Sequence, residues 1–201
     1  DYDLGRFPDD TLFDRLARAV CHAGCLPRKE LFEAWETARR VRRLLRGGRI
    51  VDVAGGHGLL AHTMLLLDDS SPDAVVVDMS FPPSRVRLHA SLTEAWPRLS
   101  GRITFVSAHV EDVEIRSSDI VVSVHACGSL SDVVLDRAAF VRARVAVLPC
   151  CHDLDVNDDG GLAGWIDGPL AADVVRALRL EQQGYRVWTQ LISDEITPKN
   201  R

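Results

Sequence analysis

The sequence predicts an α/β fold: a mostly parallel sheet flanked by helices, preceded by an N-terminal helical extension. Three observations predict it. Short apolar runs recur along the chain with interiors apolar on both faces, as in Val75-Val-Val77 and Val145-Ala-Val-Leu148. A strand needs that pattern when helices cover both sides of its sheet. Segments with apolar residues at helical spacing alternate with those runs. The first run ends in a Gly-rich turn, Asp52-Val-Ala-Gly-Gly-His-Gly58, that opens the next helix,.

Taken in order, Leu12 to Ala23 reads as a helix because Leu12, Leu16, Ala19 and Val20 fall on one face,. Pro27 starts a second helix running to about Arg46, with Leu31, Trp35, Ala38, Val41, Leu44 and Leu45 apolar, and Gly47-Gly48 ends it,. Strands are expected near 49–54, 74–79, 103–108, 119–125, 144–149 and 186–192. Helices are expected near 57–67, 84–97, 129–138 and 169–183. The Asn/Asp/Gly segment 156–161 reads as an exposed, mobile loop after a strand end,. The expected division is a helical extension over 1–46 and a cofactor-binding unit over 47–201, together one structural unit. The extension is expected to fold over the cofactor mouth.

Composition narrows the function. At 201 residues and 46% hydrophobic, the chain can bury a full core and is not disordered,. A formal net charge of -5 gives no global attraction to nucleic acid or anionic membrane,. No apolar run reaches membrane-spanning length and no signal peptide opens the sequence, which excludes a membrane partner on this reading,. The chain opens on Asp1, so residues before it are expected. Cys21, Cys25, Cys127, Cys150 and Cys151 are odd in number, and two are adjacent. Reduced thiols and a cytoplasmic setting follow as expectations.

Strand, glycine turn, helix, strand and acid is the order that holds an adenosine-type cofactor. A nicotinamide fingerprint reads Gly-x-Gly-x-x-Gly. Here Gly55, Gly56 and Gly58 instead follow the acid Asp52, as in the S-adenosylmethionine (SAM) pattern Asp/Glu-x-Gly-x-Gly-x-Gly, with Ala54 at the first glycine. Backbone must approach the cofactor closely there, so side chains must be small. Asp52 is placed to orient the turn and reach the cofactor's amino group. Asp78, about twenty residues past the turn, is placed to accept the ribose hydroxyls, with Met79 beside it. His109 and Val110, at the end of the third run, are the expected adenine contacts, with Glu111 and Asp112 in reserve. No metal site is expected, since Cys150, Cys151 and His152 lack zinc-like spacing.

Two further segments, His125-Ala-Cys-Gly-Ser-Leu-Ser-Asp132 and Pro149-Cys-Cys-His-Asp153, follow apolar runs and so share the carboxyl edge of the sheet. With the glycine turn, they resemble one branch of the Rossmann-like class I methyltransferases. That branch contains the tRNA acceptor-stem 2'-O-methyltransferases and the relatives of the glutathione S-transferase C-terminal-domain-containing protein. The resemblance covers roughly residues 28–201. It implies SAM as cofactor, S-adenosylhomocysteine (SAH) as product, and tRNA as the methyl acceptor slightly favoured. Cys21-His-Ala-Gly-Cys25 is shorter than the zinc modules of those tRNA enzymes. Ile196 to Arg201 is similar to the group's turn into a last strand, which is expected to be absent or truncated here.

Methyl transfer is an in-line displacement that needs alignment and the exclusion of water, and it needs a base only when the acceptor loses a proton. His125, at the end of the fourth run, is expected to face the transferred methyl and to touch the cofactor as well. His152 and Asp153 are alternative bases. Cys127, Cys150 and Cys151 are read as small packed core residues, Asp132 as a residue that caps or pins its helix, and Trp35 as core or lid. Arg28 and Lys29 are read as contacts to the cofactor carboxylate or as a solvated helix start. The basic run Arg39 to Arg46, with Arg49, is read as a solvated helix face or an RNA phosphate contact. A small-molecule or protein methyltransferase, a non-catalytic SAM-binding interaction module and a nicotinamide oxidoreductase all stay open, as does the oligomeric state.

Overall fold

The structure, a computed structural model, describes residues 4–149 and 151–197. Cys150 and the last four residues of the Ile196–Arg201 segment lie outside the described residues. Five strands form one parallel sheet: β1 Ile50–Val53, β2 Ala74–Asp78, β3 Ile103–Ser107, β4 Ile120–Ser123 and β5 Arg144–Val147. Their order is β3-β2-β1-β4-β5, so the chain reverses its direction of travel across the sheet at β1 and β4. Loops leaving the carboxyl ends of those two strands diverge, and that opening is where a parallel α/β sheet leaves a crevice.

The helices are α1 Leu12–Ala23, α2 Arg28–Leu44, α3 Leu59–Leu67, α4 Arg85–Ala95, α5 Leu130–Phe140 and α6 Gly168–Gln182. Alternate strand residues feed two cores. Ile50, Val76, Ile120 and Val122 pack with α1, α2, α3 and α4, whereas Val51, Val53, Val77 and Val121 pack with α5. Leu16, Ala17 and Ala38 are fully buried in the first core. Among the described residues, no helix is long and apolar enough to cross a membrane.

The expected sixth strand over 186–192 does not form. That stretch makes no backbone–backbone hydrogen bond among the described residues, and only Ile192 within it is buried. A strand is defined by its ladder. A stretch of strand-forming residues without a neighbour to pair with therefore stays irregular. The segment instead lies against α2, where the Arg40 guanidinium donates to the Leu191 carbonyl at 3.1 Å.

The basic run on α2 is largely consumed within the fold. Arg39 and Arg40 both pair with Glu36, and Arg49 pairs with Asp119. Arg42 is buried. It donates to the Met64 carbonyl at 3.1 Å and the Ser71 hydroxyl at 2.8 Å, and pairs with Asp68 at 3.2 Å. Burial lowers the Arg42 guanidinium to about 10. This clamp joins the end of α2 to the end of α3, and so fixes the helix that opens from the glycine turn. Arg42→Met should leave the Asp68 carboxylate buried without its cation and cost about 3–5 kcal/mol in urea denaturation at unchanged slope. A loss below about 1 kcal/mol would show that the clamp is not needed.

Candidate functional site

The first wall of the site is the turn after β1. Asp52 is 1% exposed, and its Oδ2 accepts the Ala61 N–H at 3.1 Å, in the first turn of α3. Burial raises this carboxyl to about 7, against the Ala61 hydrogen bond and with the help of the Asp78 charge. Gly55 can only be glycine, because a Cβ there would stand 2.5 Å from Val76 Cγ1 and 3.0 Å from Asp52 Cγ. Ala54, which replaces the pattern's first glycine, sits at φ 53, a left-handed conformation that strains any residue with a Cβ,. A Cβ on Gly56 would meet only open space, so the backbone there is accessible to a ligand.

Asp78 closes the turn from β2. Its Oδ2 accepts the Gly56 N–H at 3.0 Å and its Oδ1 accepts the Ser80 N–H at 3.2 Å. One carboxylate thus shapes the turn and still presents lone pairs beside it. From below, His62 Nδ1 donates to the Gly58 carbonyl at 2.6 Å. The neutral ring then accepts from His89 Nδ1 at 3.0 Å through its Nε2. Burial holds the His62 imidazole down at about 4, so it stays neutral. His57 meets the Ser84 hydroxyl at 2.9 Å.

A cavity opens between this turn and α2. Asp52, Ala54, Gly55, His57, Leu59 and Leu60 line one side, Leu26, Glu30 and Ala34 the other, and Val124 and His125 the end next to β4. The structure thus brings Asp52, Ala54, Gly55 and His125 to one cavity. Gly56, Gly58 and Asp78 lie immediately beside it, in the same turn and its hydrogen-bonded neighbour. Met79 is 56% exposed on the next strand end. His109 is exposed before the 3-10 turn Val110–Asp112, in which Val110 is buried and Glu111 and Asp112 are exposed. None of these β3-end residues lines the cavity.

His152 and Asp153 also lie outside the cavity lining. His152 Nε2 meets Asp173 Oδ1 on α6 at 2.8 Å, and Asp153 is exposed. Arg176 gathers this region. It contacts both oxygens of Asp132, at 3.0 and 2.8 Å, along with Asp173 at 3.1 Å and the Gly128 carbonyl at 3.2 Å. Asn157 joins Asp132 to the Asp153 backbone. Asp132 therefore pins its helix to α6, and the 156–161 segment is tied down at buried Asn157 rather than free throughout. The expectation that Cys127 and Cys151 are packed core residues is corrected, because both are exposed. They sit on the loops that α6 clasps from outside, beyond the reach of either core.

For three other residues the structure selects one of the two readings, the solvated helix start for Arg28 and Lys29 and the core for Trp35. Arg28 stacks over Phe32, and Lys29 pairs with Glu33 at 3.4 Å, so neither lines the cavity. Trp35 packs on Phe13 of α1, in the core. Glu30, Leu26, Leu60 and His57 are lining residues that sequence reasoning missed. The i, i+4 spacing of Glu30 and Ala34 was the available signal for the first of them.

A sequence profile described as a methyltransferase domain matches residues 33–156. The chain belongs to this methyltransferase-domain family. The cavity suits SAM, the cofactor expected from the sequence: Glu30 and Asp52 and the His57 and His125 imidazoles are its polar lining, the rest of its side chains are apolar, open backbone lies beside it at Gly56, and the Asp78 carboxylate stands at the end of β2. No curated protein matches the sequence. Among solved structures, precorrin-6y C5,15-methyltransferase from Geobacter metallireducens has a TM-score of 0.50 at 15% identity, over 79% of this chain and 74% of that one. It shares the fold. PH1948 of Pyrococcus horikoshii, described as a candidate RNA methyltransferase, gives 0.44 at 22% identity over 58% of this chain. The match spans 59% of that protein's length. An O-methyltransferase family protein from Burkholderia thailandensis gives 0.47 at 18% identity, over 93% and 58% of the two chains.

The two buried titrating groups give opposite pH dependences. Folding raises Asp52 from 3.8 to about 7, so its contribution to stability is present below pH 3.8 and is lost as pH rises through 7,. Folding lowers His62 from 6.5 to about 4, so its contribution is present above pH 6.5 and is lost as pH falls through 4,. Asp52→Asn removes only the first. Its stability relative to the parent chain should therefore rise from acid to neutral pH, by up to about 4 kcal/mol in urea denaturation. An offset independent of pH would contradict the buried-acid assignment.

Proposed function

We propose that this chain transfers the methyl group of SAM to a hydroxyl of an RNA acceptor, in the manner of tRNA 2'-O-methylation. The observation that carries the reading is His125, an exposed imidazole at the end of β4 that shares one cavity with Asp52 and the glycine turn. SAM supplies an electrophilic methyl group. The chain's own part is to hold the acceptor hydroxyl in line beside His125 and to accept its proton on a ring nitrogen as the oxygen attacks. His109 and Val110 would flank the adenine, and Asp78 the ribose. The His125–Asp132 and Pro149–Asp153 segments, which resemble the tRNA branch, support the choice of acceptor. On this reading His152 and Asp153 belong to the acceptor side of the site, with His152 held by Asp173, which Arg176 holds in turn.

A second reading, a small-molecule acceptor, is favoured by charge. The stretch 153–167 carries Asp153, Asp155, Asp158, Asp159 and Asp167 and no lysine or arginine, which repels a phosphate backbone. Labelled methyl transfer from SAM to unmodified tRNA separates the two readings, since incorporation into tRNA supports the first and its absence favours the second. His125→Ala should leave SAH affinity within about twofold and cut turnover about a hundredfold. Asp78→Ala should weaken SAH binding about ten- to a hundredfold by calorimetry. Unchanged affinity in that variant would place the ribose elsewhere.

A further inference from the structure

We infer that Cys127 and Cys151 form a redox modification site: two thiols, set opposite one another on the loops that leave β4 and β5, which a peroxide closes into a disulfide. Its chemistry is independent of the methyl acceptor and of the cofactor. β4 and β5 run parallel, with Ile120 opposite Arg144 and Ser123 opposite Val147. The same register, carried past the strand ends, sets Cys127 opposite Cys151. The hydrogen bonds follow it. In a parallel pair, the residue after one partner donates to the other partner's carbonyl. The Leu148 N–H does so to Ser123 at 2.9 Å, and the Gly128 N–H does so to Cys151 at 2.5 Å. One step on, a Cβ at Gly128 would stand 3.7 Å from Asp153 Cβ, so the two loops still run side by side.

Opposed residues of neighbouring parallel strands point to the same face, with Cα atoms about 5 Å apart, inside the roughly 4.4–6.8 Å that a disulfide spans. Both side chains are exposed thiols, whereas Ala126, beside Cys127, is 1% exposed, as alternation along extended backbone requires. An oxidant therefore reaches both sulfurs. Cys127 lies just before α5, and its carbonyl accepts the Leu130 N–H at 3.2 Å. The positive end of that helix favours the thiolate that attacks a peroxide. The Cys127 thiolate displaces hydroxide from hydrogen peroxide and becomes a sulfenic acid. The Cys151 thiol then attacks that sulfur, its proton leaves with the hydroxyl as water, and an Sγ–Sγ bond remains. Two thiols have lost two hydrogens, and one peroxide has become two waters. Neither cysteine lines the cavity, so the bridge ties together the loops after His125 and Pro149 without entering it.

The test treats the full reduced chain with hydrogen peroxide, blocks the remaining thiols, and maps a tryptic digest by mass spectrometry without reductant. Cleavage at arginine puts Cys127 in the peptide 117–137 and Cys151 in the peptide 145–176. The two peptides should appear linked, about 2 Da lighter than the pair of thiol forms, and should separate again in dithiothreitol. Cys150 shares the second peptide, so fragmentation between the adjacent cysteines assigns the bridged sulfur in the parent chain. Cys127→Ser and Cys151→Ser, both at exposed positions, should each abolish this link at an unchanged urea midpoint,. Absence of a link in the parent chain, sulfinic acid in its place, a bridge that fragmentation assigns to Cys150, or a link that persists in Cys151→Ser would overturn the site.

Discussion

The site depends on one buried carboxylate. Asp52 lies near the end of the central strand, accepts an N–H from the first turn of α3 and, together with Val76, crowds the space beside Gly55. Strand, turn and helix are thereby locked into one geometry. The cost is a desolvated acid that ionises reluctantly,. Everything else at the cavity is arranged around it. Asp78 takes the Gly56 N–H, His62 takes the Gly58 carbonyl, and Arg42 with Asp68 anchors the far end of α3.

Polar networks divide the carboxyl edge into two parts. Around β1 and β2, carboxylates and imidazoles brace a turn whose backbone stays open. Around β4 and β5, Arg176 and its helix neighbour Asp173 tie Asp132, Gly128 and His152 to α6, and His125 is exposed at the boundary. The first part has the form of a cofactor cradle. The second fixes the loops that would border an acceptor. His125 stands between them, at the β4 end of the cavity.

Much of this architecture is legible in the residues. The five strands lie within the predicted spans because Val- and Ile-rich runs in a doubly covered sheet carry a strong signal. The glycine turn is legible because its chemistry is local: a close Cα approach at Gly55 and an acid at the strand end. Long-range choices were not legible. Val187 to Ile192 carries strand-forming residues,, yet pairing depends on a neighbour that composition cannot supply. Glu30 and Lys29 are adjacent in sequence, and only the packing of α2 decides which one enters the cavity. Arg176 is one arginine among many until α6 places it between two aspartates. Cys127 and Cys151 look like core residues by type, but the loops that carry them lie outside both cores.

The most direct test of the central claim is calorimetric titration of the protein with SAH, with NADH as the control. The account predicts binding of SAH at about micromolar Kd and none of NADH. Binding of NADH alone, or of neither ligand, would contradict it.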